Sequence, residues 1–434
     1  MNVPEIDPSP GIDTGKMDRK IWWRIIPFIL VLYVISILDR INIGYAALTM
    51  NAELGIDHFL FGFISGIFFI SYILFEVPGN QILARSGARI WLFRIMVSWG
   101  IIAMLMAVVR TPLELGILRF FLGAAEAGFA PGLILYLSFW FRKEKIAKAL
   151  AVFFIAIPLA MMIASPLSVF ILSHASWFGI SGWRWLFLLE GLPAVFFGCA
   201  ILVCLSDLPE KARWLTPHER AWLGTHLDGD RVKEATTQKI PFRQLAGFPM
   251  AIILCSSSFL VGLFLTGLLF WFPQIVYSSG LSGSVSDTGM LVMIPYGLSA
   301  VVMYAWSLHS DAARERRYHV AIPFFLAAVL LLALSLSLPH GGTAAGFLIL
   351  TGVIAACYAA YAPFFALTLE IFPPDLRASG TALVNTTASM GAFLGPVIFG
   401  LLGGQITGPV AILMLGLLGI ALMVCGLCLL RCRE

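Results

Sequence analysis

Charge is scarce in this sequence. Lysine, arginine, aspartate and glutamate make up only 12% of its 434 residues, about half the share of an ordinary soluble domain. The shortage excludes a water-soluble globule, because single cores stop growing near roughly 250 to 300 residues and still need polar surface around them. Enzyme motifs are missing as well: there is no phosphate-binding glycine loop, no His-Glu-x-x-His, and no serine or cysteine beside a histidine base. The seven histidines fall mostly in loops or at the ends of apolar stretches, so catalysis is not expected. Cysteine offers no disulfide framework, since Cys199, Cys204, Cys255, Cys357, Cys425, Cys428 and Cys432 are odd in number and lie in apolar segments or the C-terminal tail. The spacing of the last three is superficially metal-like, but no histidine stands among them, so neither a metal nor a cofactor is expected. No cleavable leader is expected: residues 1–17 hold no apolar run, and the first hydrophobic stretch follows Lys16, Arg19, Lys20 and Arg24.

Apolar residues are what the chain has in excess, at 59% of the total and a mean hydropathy of +0.92. They recur in stretches near 21–49, 59–82, 90–109, 113–140, 144–173 and 184–206, then near 247–279, 286–310, 317–337, 343–369, 376–404 and 408–431. Each is long enough to cross about 30 Å of hydrocarbon as a helix. The expectation is an all-α membrane protein of twelve transmembrane helices in two pseudo-symmetric six-helix bundles. Its N-terminal bundle and tail occupy 1–206 and its C-terminal bundle 245–434. Between them the hydrophilic segment 207–244 carries seven lysines and arginines and reads as a linker. Within it Thr216-Pro217-His218-Glu219 is a capping box with proline at the first helical position, so a short surface helix should start there. Of the 28 basic residues, all but Arg110, Arg184, Arg40 and Arg119 would face the side of the N-terminus. Short cytoplasmic loops hold the excess of Lys and Arg, so both termini should be cytoplasmic.

Charges inside spans cost about 3 kcal/mol at mid-bilayer and usually face a partner or a watery cavity. In the first span Leu38-Asp39-Arg40-Ile41-Asn42 places an acid beside a base, which is either a self-neutralising pair or a functional one. In the fourth, Arg119 and Glu126 are seven apart and should project from nearly the same face into one cavity. Gly123 and Gly128 could serve close packing there but do not explain the charges. A guanidinium offers a planar fork to a carboxylate, and a buried acid can take and release a proton, so anion plus proton is the economical pairing. Protonating Asp39 or Glu126 would free an arginine to bind an anion, linking the two events. Tyr72 and Asn385 could hydrogen-bond a ligand or join helices. Glu76, Glu190 and Glu370 are placed toward span ends, where interfacial or gating salt bridges are expected.

The strings Leu38-Asp39-Arg40-Ile41-Asn42-Ile43-Gly44, Phe75-Glu76-Val77-Pro78-Gly79-Asn80, Leu118-Arg119 through Phe129 with Pro131-Gly132, and Gly182-Trp183-Arg184-Trp185 through Pro193 resemble the anion:cation symporter family of the major facilitator superfamily. Asp207-Leu208-Pro209 with Trp214-Leu215-Thr216, and Gly391-Ala392-Phe393-Leu394-Gly395-Pro396, extend the resemblance over essentially the whole chain, with bacterial tartrate transporters among its nearest look-alikes. The resemblance implies the major facilitator fold and a proton-coupled carrier of small organic anions in a bacterial inner membrane. The cargo would be a tartrate-like hydroxy acid, a sugar acid or an aromatic carboxylate. On the same ground Arg40 and Arg119 would neutralise the carboxylate, Tyr72 and Asn385 would line the cavity, and Asp39 and Glu126 would couple protons. The superfamily's gating motif appears once per half in altered form: Asn80 and Ala84 replace glycine and aspartate before Arg85, Gly87 and Arg89, and Asp311 with Glu315-Arg316-Arg317 remain beside the departures Ala312 and Arg314. Arg85, Arg89, Asp311 and Arg316 are therefore the expected gating residues. The span from Ala156-Ile157-Pro158 to Ser165-Pro166 lacks the Gly-x-x-x-Gly-Pro signature of drug/proton antiporters, which disfavours export. The expected partners are an organic anion, protons (the coupling ion) and lipid, with no nucleic acid and a monomeric chain. An organic anion exchanger or a drug/proton antiporter of the same fold is the rival.

Overall fold

A computed structural model describes residues 13–234, 249–337, 343–373, 376–403 and 409–431. Every regular element among them is helical, as hydrocarbon requires of a backbone that must satisfy its own hydrogen bonds. Twelve stretches are long and apolar enough to cross a membrane. In the first half they are α1 (Thr14–Leu54), α2 (His58–Ser86), α3 (Ala88–Leu105), the pair α4 (Pro112–Glu126) and α5 (Phe129–Ser138), α6 (Lys143–His174) and α7 (Gly182–Cys204). Helix α8 (Pro217–Glu234) lies in the linker. The second half follows as α9 (Pro249–Ser278), α10 (Val285–Ala313), α11 (Arg317–Ser337), α12 (Thr343–Ile371), α13 (Arg377–Leu401) and α14 (Pro409–Arg431). Side chains such as Leu113, Val203 and Leu336 are more than 70% exposed on the outer faces, where lipid replaces water as their solvent.

Local chemistry sets where these helices begin. Helix α1 starts seven residues before the expected 21 because Asp13 accepts the Lys16 N–H at 3.0 Å and caps it. At 41 residues it measures about 60 Å, twice the hydrocarbon thickness, so one end stands out of the membrane. Thr111 and Glu114 form a reciprocal capping box at the start of α4. The fourth span, expected as one run over 113–140, is two helices broken at Gly128, whose φ of 85° is a left-handed conformation. The linker helix begins where the capping box placed it: the Glu219 N–H donates to Thr216 Oγ1 at 3.2 Å, and the Thr216 N–H donates to Glu219 Oε2 at 2.7 Å.

That linker helix docks on the first half. Lys20 Nζ pairs with Glu219 at 3.2 Å, the Arg142 guanidinium lies over the Trp222 ring at 5.2 Å, and Trp214 stacks on Trp140 at 5.4 Å. Burial pushes the Glu219 carboxyl up, but the Thr216 amide and the Lys20 ammonium outweigh it and hold the group below its ordinary value. The opposite, distal end of the first half has its own fastening. Glu53 accepts from Ser181 Oγ at 2.5 Å and from Trp183 Nε1 at 2.7 Å, and it pairs with Arg184, which also donates to the Ala107 and Val109 carbonyls. Glu53→Ala should lower the melting temperature by a few degrees in a detergent thermal-shift assay while leaving substrate affinity unchanged.

The two halves meet through α2 with α13, α6 with α10 and α1 with α9. At the distal end they are closed on each other. Ser165 Oγ donates to the Gly289 carbonyl at 2.6 Å, Phe61 meets Trp271 edge to face at 5.0 Å, and a Cβ on Gly62 would stand 2.3 Å from the Pro396 oxygen. Nearer the linker end, Asn385 donates to Glu76 at 3.2 Å and Phe154 stacks with Phe365 at 6.5 Å, but no ion pair joins the halves there among the described residues. A side chain at Gly62 therefore wedges the distal contact. Gly62→Val should cut transport about tenfold, since overpacking costs about 1–3 kcal/mol. Cysteines placed along the distal seam should become more accessible to thiol reagents in that variant.

Candidate functional site

Between the halves lies a cavity of about 230 Å³. Helix α1 contributes Tyr33, Ile37, Arg40 and Ile41, spaced for one helical face, and α9, α12 and α13 supply most of the opposite wall. Arg40 is the one charged side chain on the lining among the described residues. Its guanidinium forms an ion pair with Glu126 of α4, and it lies over the rings of Phe68 and Tyr72 at 5.2 and 5.5 Å. The exposures differ in a way that decides the order of access: the Arg40 side chain is 25% exposed and that of Glu126 only 2%. A solute in the cavity meets the arginine, with the acid sealed behind it.

Arg119 departs from the sequence expectation. It shares a face with Glu126 but lies two helical turns, about 10 Å, toward the distal end. There it is fully buried, sandwiched near Phe68 and Phe270 at 5.2 and 5.7 Å, and none of its three guanidinium nitrogens has a hydrogen-bond partner. It does not reach the cavity in this conformation. Phe270 belongs to the second half, so the distal closure is what covers Arg119. Gly123 lets α4 sit this close to α2, since a Cβ there would fall 2.2 Å from the Phe68 oxygen.

Asp39 does not pair with its neighbour Arg40. Adjacent helical residues point about 100° apart, and the Asp39 carboxylate turns into the first half, where it accepts the Trp99 Nε1–H at 2.8 Å. Its other oxygen has no partner. Close by is Glu190, which lies well inside α7 and is 4% exposed, in contrast to the span-end position expected of it. It accepts from Ser168 Oγ at 2.7 Å, and its second oxygen is also unpartnered. Its signal was available, because it is the ninth residue of a 23-residue span.

Tyr72 packs on Phe68 and beneath Arg40, behind the cavity wall. Asn385 lies on the cavity lining and donates to Glu76 of the first half. Of the gating residues, Arg316 binds Asp311 at 2.6 Å and Glu370 at 3.4 Å, tying α10, α11 and α12 together within the second half. Arg89 gives its backbone N–H to Asp207 Oδ1 at 2.9 Å, which ties the start of α3 to the head of the linker. The Arg85 side chain lies outside the described residues. Tyr33 and Tyr361, on facing walls of the cavity, went unnoticed in the sequence, although Tyr33 stands seven residues before Arg40 on the same face.

Twelve spans in two halves around a shared polar-tipped cavity are the architecture of a membrane carrier. The chain matches the Major Facilitator Superfamily over residues 29–386 and belongs to that family. Among its relatives, a protein named "Putative tartrate transporter" from Agrobacterium vitis is 39% identical over 90% of this chain and 86% of its own length. A "Quinolone resistance transporter" from Acinetobacter baumannii is 33% identical over 91% of this chain and 89% of its own. The crystal structure of a D-xylose-proton symporter shares the fold, with a TM-score of 0.77 at 16% identity over 94% of this chain and 97% of that one. The protein is thus a multi-pass membrane transporter of a small molecule and not an enzyme.

Proposed function

We propose that this transporter carries a small organic anion inward together with protons. The observation that carries the reading is the Arg40–Glu126 pair, with its basic member open to the cavity and its acidic member sealed. A carboxylate arriving at Arg40 competes with Glu126 for the same guanidinium, and a proton on Glu126 settles that competition for the cargo. The distally closed conformation, with the pair formed, corresponds to the stage after release toward the linker side. Opening the distal seam would carry Phe270 away and present Arg119 to cargo arriving from the other face. Asp39, with no cation paired to it among the described residues, is the second proton carrier. Co-transported protons are needed because a monoanion moving alone against a negative interior climbs about 2.3 kcal/mol per 100 mV.

The same reading puts the protein in a bacterial inner membrane as a monomer, with the linker side cytoplasmic and segment 207–244 bridging the two bundles. Its test is uptake into proteoliposomes with an imposed inward proton gradient. Labelled tartrate, aldonates, hexuronates and aromatic acids are offered in turn. Concentrative uptake of one of these is expected, and gradient-independent fluxes for all of them would end the proposal. Drug/proton antiport is the second reading, favoured by the quinolone-resistance relative and by the apolar lining of the cavity. It requires proton-driven extrusion of a cationic or zwitterionic drug, measured in the same vesicles with the gradient reversed.

A further inference from the structure

We propose that the cargo is an aromatic monocarboxylate, with its carboxylate on Arg40 and its ring held between α1 and α12. The inference rests on the organic-anion reading above and narrows it. Charge is the first argument. Arg40 is the sole charged lining residue among those described, so one carboxylate finds a counter-charge and a second would lie against apolar wall.

Hydrogen-bonding capacity is the second argument. A hydroxy acid or sugar acid needs several free donors and acceptors along its body, and three of this cavity's polar side chains have committed theirs. The Ser258 hydroxyl is engaged with the Cys255 and Val384 carbonyls and Thr387, the Asn385 amide donates to Glu76, and the Tyr358 hydroxyl meets the Met161 sulfur at 3.0 Å. The hydroxyls left free among the described residues are spread around the lining, on Tyr33, Ser257, Thr266, Tyr361 and Ser389, and two of these five belong to the aromatic rings of α1 and α12.

The third argument is shape. Seven lining residues are aromatic. Tyr33 of α1, itself stacked on Phe153 at 4.1 Å, faces Tyr361 and Phe365 of α12, which meet edge to face at 5.0 Å. Tyr33 and Tyr361 are close enough to Arg40 to interact with it electrostatically. A carboxylate bound at the guanidinium therefore projects its body between rings supplied by both halves, where a flat π-system gains offset or edge contacts that a saturated polyol does not.

The test is calorimetric binding to the purified protein in nanodiscs with 4-hydroxybenzoate, cyclohexanecarboxylate, L-tartrate and D-gluconate. 4-Hydroxybenzoate should bind about tenfold tighter than the other three. Tyr361→Leu should remove that advantage over cyclohexanecarboxylate while Tyr361→Phe keeps it, so ring loss is separated from misfolding. Tartrate or gluconate binding as tightly as, or more tightly than, 4-hydroxybenzoate overturns the aromatic assignment and leaves the organic-anion reading standing. Binding of none of the four overturns that broader reading, and the narrower one with it.

Discussion

Arg40→Ala should reduce organic-anion uptake in proteoliposomes to about one hundredth of the wild-type rate or less. The guanidinium is the single positive charge on the cavity wall among the described residues, and a carboxylate leaving water for a mostly apolar enclosure has no other charge there to replace its hydration. Hydrogen bonds to charged groups are worth about 1.5–3 kcal/mol each, so losing the two bonds of the fork costs about two to four factors of ten in binding before the rate is considered. Arg40→Lys keeps the charge but not the planar pair of donors, and should lie between the two. One confounding effect has to be removed: taking Arg40 away strands Glu126 as a buried acid without its partner, which destabilises by about 3–5 kcal/mol if the acid stays charged. The double variant Arg40→Ala with Glu126→Gln relieves that strain, so it should be as monodisperse as the wild type and still fail to transport. Normal uptake by a well-folded Arg40→Ala protein would remove Arg40 from the cargo site.

How far the residues foretold this site depends on the physics behind each. The spans were legible because hydrocarbon imposes one solution on a long apolar run. The cost of intramembrane charge singled out Arg40 and Glu126 for the same reason, and the structure pairs them across 86 positions of sequence. What the sequence could not show was direction. Asp39 stands next to Arg40 in the chain yet faces Trp99 in the first half's interior, because neighbours on a helix diverge. Arg119 and Glu126 share a face, but two turns of rise put one under the distal closure and the other behind the cavity. The break at Gly128 was hidden because apolar composition continues straight across it. The tyrosine and phenylalanine wall of α12 reads in sequence like any apolar span, and only the meeting of two halves makes it the wall of a cavity.

Glu126→Gln is expected to separate movement of cargo from the force that drives it. Glutamine has nearly the shape of a protonated glutamic acid and carries no charge, so it leaves Arg40 permanently free of its internal competitor. Exchange of labelled for unlabelled anion should persist, while concentrative uptake under an inward proton gradient should disappear. In the wild type, raising the pH should deprotonate Glu126, rebuild the Arg40 ion pair and weaken cargo binding; reciprocally, bound cargo should favour the protonated acid. The variant should therefore bind the anion with a flatter pH profile and, at alkaline pH, more tightly than the wild type does. The driving force at stake is large, since each pH unit contributes about 1.4 kcal/mol per proton, a factor of ten in accumulation. Asp39→Asn provides the contrast. Its carboxylate touches Trp99 and not Arg40, so the substitution should lower the number of protons moved per anion without freeing the guanidinium, and the pH profile of binding should keep most of its slope. If Glu126→Gln vesicles still concentrate the anion as the wild type does, the proton that drives transport is not carried by the acid behind Arg40, and the Asp39–Glu190 neighbourhood becomes the place where it must reside.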